Sequence, residues 1–170
     1  MPALYAIRGR IVDLRRYTNV HLYWRHPPGP TDRDELWLRQ DDGNERKFTI
    51  HTRTMPARCR HRVSMIVKMD TNPLQVLGLF NGDTREAVNY MRSDPPSVLR
   101  VSDFIVLALA FVVVAAKFGD VGVVLFVPGA LTYLLVAAFG RAIGQALWAK
   151  QVDYVISQEQ ARVGKRRASH

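Results

Sequence analysis

The chain has 170 residues, a formal net charge of +9 at pH 7 and a hydrophobic fraction of 48%. A single cysteine, Cys59, excludes an internal disulfide, and the alternation of basic and apolar residues over 1–16 leads us to expect no signal peptide there. The length leaves room for one soluble domain of about 100 residues and a small further element. Positive charge of this size fits a nucleic-acid partner or the anionic inner leaflet of a membrane, and the apolar runs described below favour the membrane.

Short β-strands are predicted over the first 80 residues, because apolar and polar side chains alternate there and glycine, proline and aspartate separate the runs. Asp42 followed by Gly43 predicts a two-residue hairpin between the third and fourth strands. Three prolines within 25–30 predict a protruding loop, since proline donates no backbone hydrogen bond. The six predicted strands are marked by 4–14, 20–24, 36–38, 48–50, 63–69 and 76–80.

The number and spacing of these strands predict the fold of the amino-terminal region, 1–94. Six short strands in about 80 residues are too few for an immunoglobulin-sized sandwich, and they suit a small, bent, six-stranded β-barrel of the OB or SH3 kind. Asp83 and Glu86 predict a capped helix start, followed by a short helix that ends before Pro95 and Pro96. We expect 1–94 to be a cytoplasmic β-barrel domain with a short terminal helix.

Two apolar runs follow, and they predict a transmembrane element. The run 121–140 has twenty residues without a charge, and 104–116 has thirteen. A helix needs about 20 apolar residues to cross a hydrocarbon core of roughly 30 Å, so the first run is the weaker span. The turn formers of 117–120 would join two antiparallel helices, and Pro128 would kink the second one. The sequence therefore predicts an α+β membrane protein with a two-helix transmembrane hairpin over 95–140.

Basic residues near the ends of the two runs predict the orientation, because cytoplasmic flanks accumulate lysine and arginine. The turn between the runs has Lys117 alone, whereas the outer flanks contain Arg85, Arg92, Arg100, Arg141, Lys150, Arg162, Lys165, Arg166 and Arg167. We expect both termini in the cytoplasm and the chain in a bacterial inner (plasma) membrane. A re-entrant hairpin that never reaches the far side is the alternative, and it leaves the cytoplasmic placement unchanged.

The carboxy-terminal region, 141–170, is predicted to form a cytoplasmic amphipathic helix with a basic tail. Apolar residues such as Leu147 and Val155 recur there at helical spacing between charged ones. This apolar stripe could pack on the barrel, lie on the bilayer surface or pair with another copy of the chain. Residues 164–170 are basic and lack apolar partners, so we expect them to be disordered.

The sequence predicts no catalytic, cofactor or metal site. His51, Cys59 and His61 form a cluster of potential ligands, but their spacing fits no zinc pattern. Asp103 lies close to the first apolar run and is expected to cap a helix. The residues expected to contact a partner or lipid are all basic: Arg58, Arg60, Arg62, Arg141, Lys150, Lys165, Arg166 and Arg167.

We therefore predict a non-enzymatic, membrane-anchored adaptor or regulatory protein whose cytoplasmic barrel binds an unidentified protein partner. Its partners would also include the lipid bilayer and a second copy of the chain. A subunit of an oligomeric channel or transport assembly is one alternative, although the apolar runs hold almost no polar residue. A membrane-tethered nucleic-acid binder is the other, and it is disfavoured because basic residues beside a membrane can face anionic headgroups. Its candidate stacking residues are Arg8, Arg10, Arg15, Arg16, Tyr5, Tyr17, Tyr23 and Trp24.

Overall fold

The computed structural model describes residues 4–18, 32–68 and 74–168, and of 166–168 it describes the backbone alone. The elements in chain order are β1 (Leu4–Tyr17), β2 (Arg33–Gln40), β3 (Glu45–His51), β4 (Arg62–Lys68), β5 (Gln75–Asn81), β6 (Ala87–Asn89), α1 (Tyr90–Ser93) and α2 (Val101–Ala168). The six strands form one sheet in the spatial order β3-β2-β1-β4-β5-β6, and every neighbouring pair is antiparallel.

Most of the predicted strands are confirmed where the structure describes them. β2 pairs with β3 so that Leu36 lies opposite Phe48, and Gly43 between them has the positive φ of 88° that the predicted hairpin turn favours. β1, β4 and β5 correspond to the first, fifth and sixth predicted strands. The predicted strand at 20–24 and the predicted loop at 25–30 lie outside the described residues.

The predicted closed barrel is wrong, because the sheet is open and its edge strands β3 and β6 do not pair with each other in the described part of the chain. One face of the sheet forms the main core. The opposite face of β4 and β5 is also buried, since Ile66 and Leu77 pack with Val152 and Ile156 of α2. In a closed barrel, the outer face of the strands would meet water. Here α2 covers that face of β4 and β5, so these strands are buried on both faces without closure of the sheet. Fully buried residues of the main core include Ile11, Leu36, Leu38, Met65 and Leu79.

The helix start predicted at Asp83 is also wrong. Residues 81–86 form a turn, because the Asn81 side chain accepts hydrogen bonds from the backbone N–H groups of Asp83 and Thr84 (3.0 and 3.3 Å). The chain then continues as β6, and the first helix begins only at Tyr90. Asparagine side chains that bind the local backbone favour turns over helices, which explains the difference.

The predicted two-helix hairpin followed by a separate carboxy-terminal helix is corrected by α2, which is one helical element over Val101–Ala168. Within α2, Gly119 departs from helical dihedral angles (φ 56°, ψ −141°). The four-residue connection expected at 117–120 is therefore replaced by a single non-helical residue. No proline follows residue 140 to end the helix, and α2 continues to Ala168, into the tail that the sequence predicts to be disordered.

The chain divides into two compact units. The sheet unit contains Met1–Pro95 and Ala146–His170, and the apolar unit contains Pro96–Gln145. Judged by length and composition, the described chain has one helical stretch apolar enough to cross a membrane, Val101–Lys165.

Within the apolar unit, residues on the two sides of Gly119 contact each other. The rings of Phe111 and Phe126 are 5.2 Å apart between centroids and meet edge to face. A straight helix would separate these two residues by about 22 Å. The chain therefore changes direction at Gly119, where positive φ is easily adopted by glycine.

Candidate functional site

The candidate site is a cluster of arginines at one corner of the sheet unit. The loop before β4 folds against β1, because the Arg60 N–H donates to the Ile11 carbonyl (2.8 Å) and the Ile11 N–H donates to the His61 carbonyl (3.0 Å). In the β1–β4 ladder, Arg10 lies directly opposite Arg62. The loop before β4 and the β1–β4 pair therefore bring the backbones of four arginines close together, namely Arg10, Arg58, Arg60 and Arg62.

The turn between β5 and β6 completes this corner. The backbone N–H of Arg62 donates to a carboxylate oxygen of Asp83 (2.7 Å), and the Gly82 N–H donates to the Arg62 carbonyl (2.8 Å). The same turn contains Arg85, whose N–H donates to the Asn81 carbonyl (2.9 Å). We call the resulting cluster the arginine patch, and its members are Arg10, Arg58, Arg60, Arg62 and Arg85.

Two members of the arginine patch have an unfavourable backbone conformation. Arg60 and Arg85 have φ values of 70° and 63°, and no other non-glycine residue in the described parts of the chain has positive φ. A side chain in this left-handed region costs roughly 1–2 kcal/mol, so neighbouring structure must hold it there. The hydrogen bonds of Arg60 to Ile11 and of Arg85 to Asn81 supply that support.

The positive charge of the arginine patch exceeds the negative charge of the carboxylates near it. All five members are exposed. Arg62 is 3.6 Å from Asp41, and the other four have no ion pair with a described carboxylate. Elsewhere in the sheet, Arg8 and Arg39 each have a carboxylate partner at 2.6 Å. The patch therefore has a net positive surface, with the exposed carboxylates of Asp41, Asp83 and Glu86 near it.

The buried side chain of Asn81 links the two sides of the arginine patch. Its Nδ2 donates to the Pro56 carbonyl (2.8 Å) and lies 2.8 Å from Nδ1 of His61. Because its Oδ1 accepts from the N–H groups of Asp83 and Thr84, the amide orientation is determined and Nδ2 is the donor to His61. The imidazole Nδ1 is thus an acceptor, and the loop before β4 is connected to the turn before β6.

Only part of this cluster was predicted from the sequence. Arg58, Arg60 and Arg62 were grouped because they alternate along one segment, whereas Arg10 and Arg85 belong to elements distant in sequence. No local pattern marks those two as neighbours. The β1–β4 register and the turn before β6 are what bring them together.

The other predicted contact residues lie on α2. Lys150 and Lys165 are exposed and about 22 Å apart along the helix, so they do not form one site with each other. Arg166 and Arg167 belong to α2, but their side chains lie outside the described part.

Arg141 already has protein partners within the apolar unit. Its guanidinium donates to both carboxylate oxygens of Asp103 (2.5 and 2.7 Å) and to the Val98 carbonyl (2.8 Å). Asp103 also accepts from the backbone N–H of Arg100 (2.8 Å), which is a capping contact at the start of α2. Asp103 is 2% exposed, whereas the side chain of Arg141 is 27% exposed, so the carboxylate is buried and the guanidinium is partly exposed.

Sequence reasoning missed the ion pair that attaches the end of α2 to the sheet. Glu159 is 5% exposed and accepts two hydrogen bonds from Arg8 (2.9 and 2.6 Å) and one from the Ser64 hydroxyl (3.0 Å). The hydrogen bond from Arg8 lowers the pKa of Glu159. Glu159 follows Val152 and Ile156 at helical spacing, and this periodicity is the signal that could have identified it. Of the three placements expected for this helix, packing on the sheet is the one observed.

A second polar contact fixes the middle of the same helical segment. Asn89 Nδ2 donates to the Ala149 carbonyl (2.9 Å) and to Asp153 (2.7 Å), and Arg92 donates to the other oxygen of Asp153 (2.6 Å). Side chains from β1, β4, β6 and α1 therefore hold α2 in place within the sheet unit.

A buried carboxylate, that of Asp34, lies near the start of β2. Asp34 is 1% exposed, and its oxygens have no hydrogen-bond partner among the described residues. Burial raises the pKa of Asp34, and the charge of Arg16, whose Nε is 3.9 Å away, opposes that effect. Burial also raises the pKa of Tyr90, with a smaller contribution from Asp34. This end of the core contains an ionisable group that opposes folding at neutral pH.

No group of three or more His, Cys, Asp or Glu side chains converges as a metal site would require within 4–18, 32–68 and 74–168. His51 ends β3, and Cys59 and His61 lie in the loop before β4. The chain matches no protein family, no curated protein and no solved structure.

Proposed function

We propose that this chain is a membrane-anchored adaptor that acts by binding and carries out no catalysis. The apolar unit is embedded in a bilayer, and the sheet unit binds a protein partner in the cytoplasm. One observation carries the proposal: the apolar unit exposes apolar side chains along its length, while hydrogen bonds join the points where the chain enters and leaves it.

The exposure of the apolar unit supports its placement in lipid. Val124, Leu125 and Val136 are 71%, 66% and 67% exposed. Water-soluble monomers rarely expose contiguous apolar patches larger than a few hundred Å², whereas lipid-facing helices do so over their whole length. From Val101 to Gly119 the helix rises about 27 Å, which is close to the roughly 30 Å of a hydrocarbon core. The chain thus changes direction after about one bilayer thickness.

The two ends of the apolar unit support a single-sided anchor. Gln145 Nε2 donates to the Pro96 carbonyl (2.8 Å), and Arg141 donates to the Val98 carbonyl (2.8 Å). A chain that enters and leaves at the same place has both flanking segments on the same side of the bilayer. The basic residues of those segments favour the cytoplasmic side, as expected for both termini in a bacterial inner membrane.

The ion pair at this end fits the same placement. An arginine or an aspartate alone is costly near the hydrocarbon region, and each is found there with a partner. Asp103 and Arg141 neutralise each other through two hydrogen bonds. The charged residues between 104 and 140 are Lys117 and Asp120, and they lie on either side of Gly119, where the chain changes direction.

The native cysteine provides a direct test of this placement. Cys59 is exposed in the sheet unit, and it is the only cysteine of the chain. A membrane-impermeant maleimide should label Cys59 in inverted inner-membrane vesicles and leave it unlabelled in intact spheroplasts. In a Cys59→Ser background, Asp120→Cys should show the opposite pattern.

Labelling of Cys59 from outside would contradict the cytoplasmic placement. Recovery of the chain in the supernatant after lysis without detergent would contradict membrane anchoring itself. A re-entrant arrangement would leave both cysteine variants unlabelled in spheroplasts, so the pair of variants separates the two topologies.

The adaptor part of the proposal has its own test. A photo-crosslinking residue at position 60, within the arginine patch, should form an adduct with another protein in native membranes. The same residue at position 53, where Arg53 is also exposed, should form none. Adducts with copies of this chain alone would contradict the adaptor function.

A further inference from the structure

We infer that the arginine patch is the partner-binding surface and that its ligand is an acidic segment of a protein, bound through carboxylates. The inference deepens the proposed function and rests on it only for the partner being a protein at the membrane. Its basis is the juxtaposition of Arg10, Arg58, Arg60, Arg62 and Arg85 at one corner of the sheet.

The placement of Arg10 disfavours the unbound state. Arg10 lies opposite Arg62 in β4 and opposite Arg39 in β2, so three arginines stand side by side across adjacent strands. Like charges directly opposite each other destabilise a sheet. Arg39 is neutralised by Glu45 and Arg62 is close to Asp41, but Arg10 has no carboxylate partner in the described chain. A carboxylate from outside would remove this repulsion.

The strained residues point to the same surface. Arg60 and Arg85 keep positive φ although glycine would relieve the cost. Backbone strain of this kind is characteristic of functional sites, where the geometry of a side chain matters more than local stability. That both strained residues are arginines of one cluster ties the strain to positive charge.

The backbone of the arginine patch is organised before any ligand binds. Hydrogen bonds to and from Ile11, from the Asn81 side chain and to the Asp83 carboxylate hold the loop before β4 and the turn before β6 in one arrangement. Preorganisation reduces the entropy lost on binding. Guanidinium groups on such a frame can each receive a carboxylate through two parallel hydrogen bonds.

A protein segment fits this surface better than a nucleic acid or a lipid surface. Single-stranded nucleic acid binds largely by stacking its bases on aromatic rings, whereas the arginine patch has no aromatic member, and the ring of Trp37 is covered by Arg15 and Lys47 at 5.3 and 4.9 Å. Exposed carboxylates of Asp41 and Asp83 would repel a uniformly anionic polymer or headgroup layer. Interspersed charges of both signs instead select a partner with a matching pattern.

The test uses the full chain in phosphatidylcholine nanodiscs. The probe is a fluorescent ten-residue acidic peptide in which glutamates are interspersed with two lysines, so that it carries charges of both signs as the patch does. The double variant Arg58→Glu/Arg60→Glu should weaken peptide binding at least tenfold. The matched control Arg53→Glu/Lys150→Glu changes the net charge equally at exposed positions outside the patch, and it should change binding less than twofold. Equal losses in both variants would overturn the inference, because they would indicate non-specific attraction.

Two further probes identify the class of ligand. A twenty-nucleotide single strand and vesicles containing phosphatidylglycerol should bind the wild type and the patch variant with less than a threefold difference. A larger dependence on Arg58 and Arg60 for either probe than for the peptide would overturn the assignment to a protein segment.

A second variant guards against a loss that arises from unfolding. Arg60→Gly removes one charge and also relieves the backbone strain, so peptide affinity should fall at least threefold while the melting temperature does not fall. Unchanged affinity in Arg60→Gly would contradict the inference. Cys59 labelling of the same variants reports the membrane anchor separately, so failure of the anchor and failure of this surface are distinguishable.

Discussion

Each unit contains a buried carboxylate that accepts two hydrogen bonds from one arginine, and the two pairs differ in what surrounds them. In the sheet unit, Glu159 and Arg8 come from elements 151 residues apart and lie between a helix and a sheet that bury each other. In the apolar unit, Asp103 and Arg141 are 38 residues apart, and most of the large apolar side chains between them in the sequence are exposed. Both acids belong to α2, so one helical element, interrupted at Gly119, serves two environments: protein in the sheet unit and, as proposed, lipid in the apolar unit.

This difference makes the sheet unit measurable by itself. The chain has three tryptophans, Trp24, Trp37 and Trp148; Trp37 and Trp148 belong to the sheet unit, and the apolar unit contains none. Tryptophan fluorescence during urea unfolding therefore reports on that unit, and membrane fractionation reports on the apolar unit.

The largest effect is expected from Val152→Asp, which would break the packing of α2 on the sheet. Val152 is fully buried against β4 and β5, so an aspartate there would place an unpaired carboxylate in the core. The free energy of unfolding should fall by about 4 kcal/mol or more. Leu147→Asp, at a 55% exposed position of the same helix, should cost less than about 1 kcal/mol. Loss of membrane association in Val152→Asp would show that the two units are not independent.

A smaller effect is expected from removing the ion pair of the sheet unit. Glu159→Ala leaves Arg8 and Ser64 without their acceptor and should lower the free energy of unfolding by about 2 kcal/mol at pH 7. Glu159→Gln keeps an acceptor oxygen and should cost about 1 kcal/mol. Urea unfolding followed by tryptophan fluorescence measures both, and equal losses would contradict the assigned hydrogen bonds.

The same ion pair predicts a pH dependence. Because the folded state lowers the pKa of Glu159, its stabilising contribution is complete above the ordinary glutamate range near pH 4.3 and is lost as the pH falls through the lowered value. The difference between wild type and Glu159→Gln should therefore shrink on acidification from pH 7 to about pH 3. A difference that stays constant over this range would show that the carboxylate charge is not involved.

Asp34→Asn should act in the opposite direction. Burial raises the pKa of Asp34, so the folded state favours the protonated form, and wild-type stability falls as the pH rises from the ordinary aspartate range near 3.9 through the raised value. The variant should unfold with a free energy higher by about 0.5 kcal/mol at pH 7, a value reduced by the nearby Arg16. The gain should vanish below about pH 4, and urea unfolding at the two pH values measures it.

An equally small effect is expected from relief of backbone strain in the arginine patch. Arg60→Gly should raise the free energy of unfolding by about 0.5 kcal/mol, because relief of positive φ slightly exceeds the entropy that glycine loses on folding. Arg53→Gly, at an exposed residue without positive φ, should lower it by about 0.5 kcal/mol. Lower stability in Arg60→Gly would mean that the arginine side chain stabilises the fold.

The sequence predicted those elements whose signal is local. Alternation marked β4, and the Asp42–Gly43 pair marked the hairpin that places Leu36 opposite Phe48. The turn at 81–86 was missed because Asp83 and Glu86 resemble a helix cap, while the competing acceptor, Asn81, lies two residues before Asp83. The arginine patch was predicted only in part, because only three of its five members are close in sequence.

The amino-acid sequence by itself determined that one stretch of this chain is apolar over the length of a bilayer, and that the region before it forms short strands, because both properties depend on the order of polar and apolar residues. The tertiary structure alone decided that the sheet stays open, since closure depends on whether another element covers its second face. It also decided that Arg8 meets Glu159 and that Arg10 and Arg85 join the arginine patch. Such contacts depend on strand register and on the return of α2, and no local pattern encodes either.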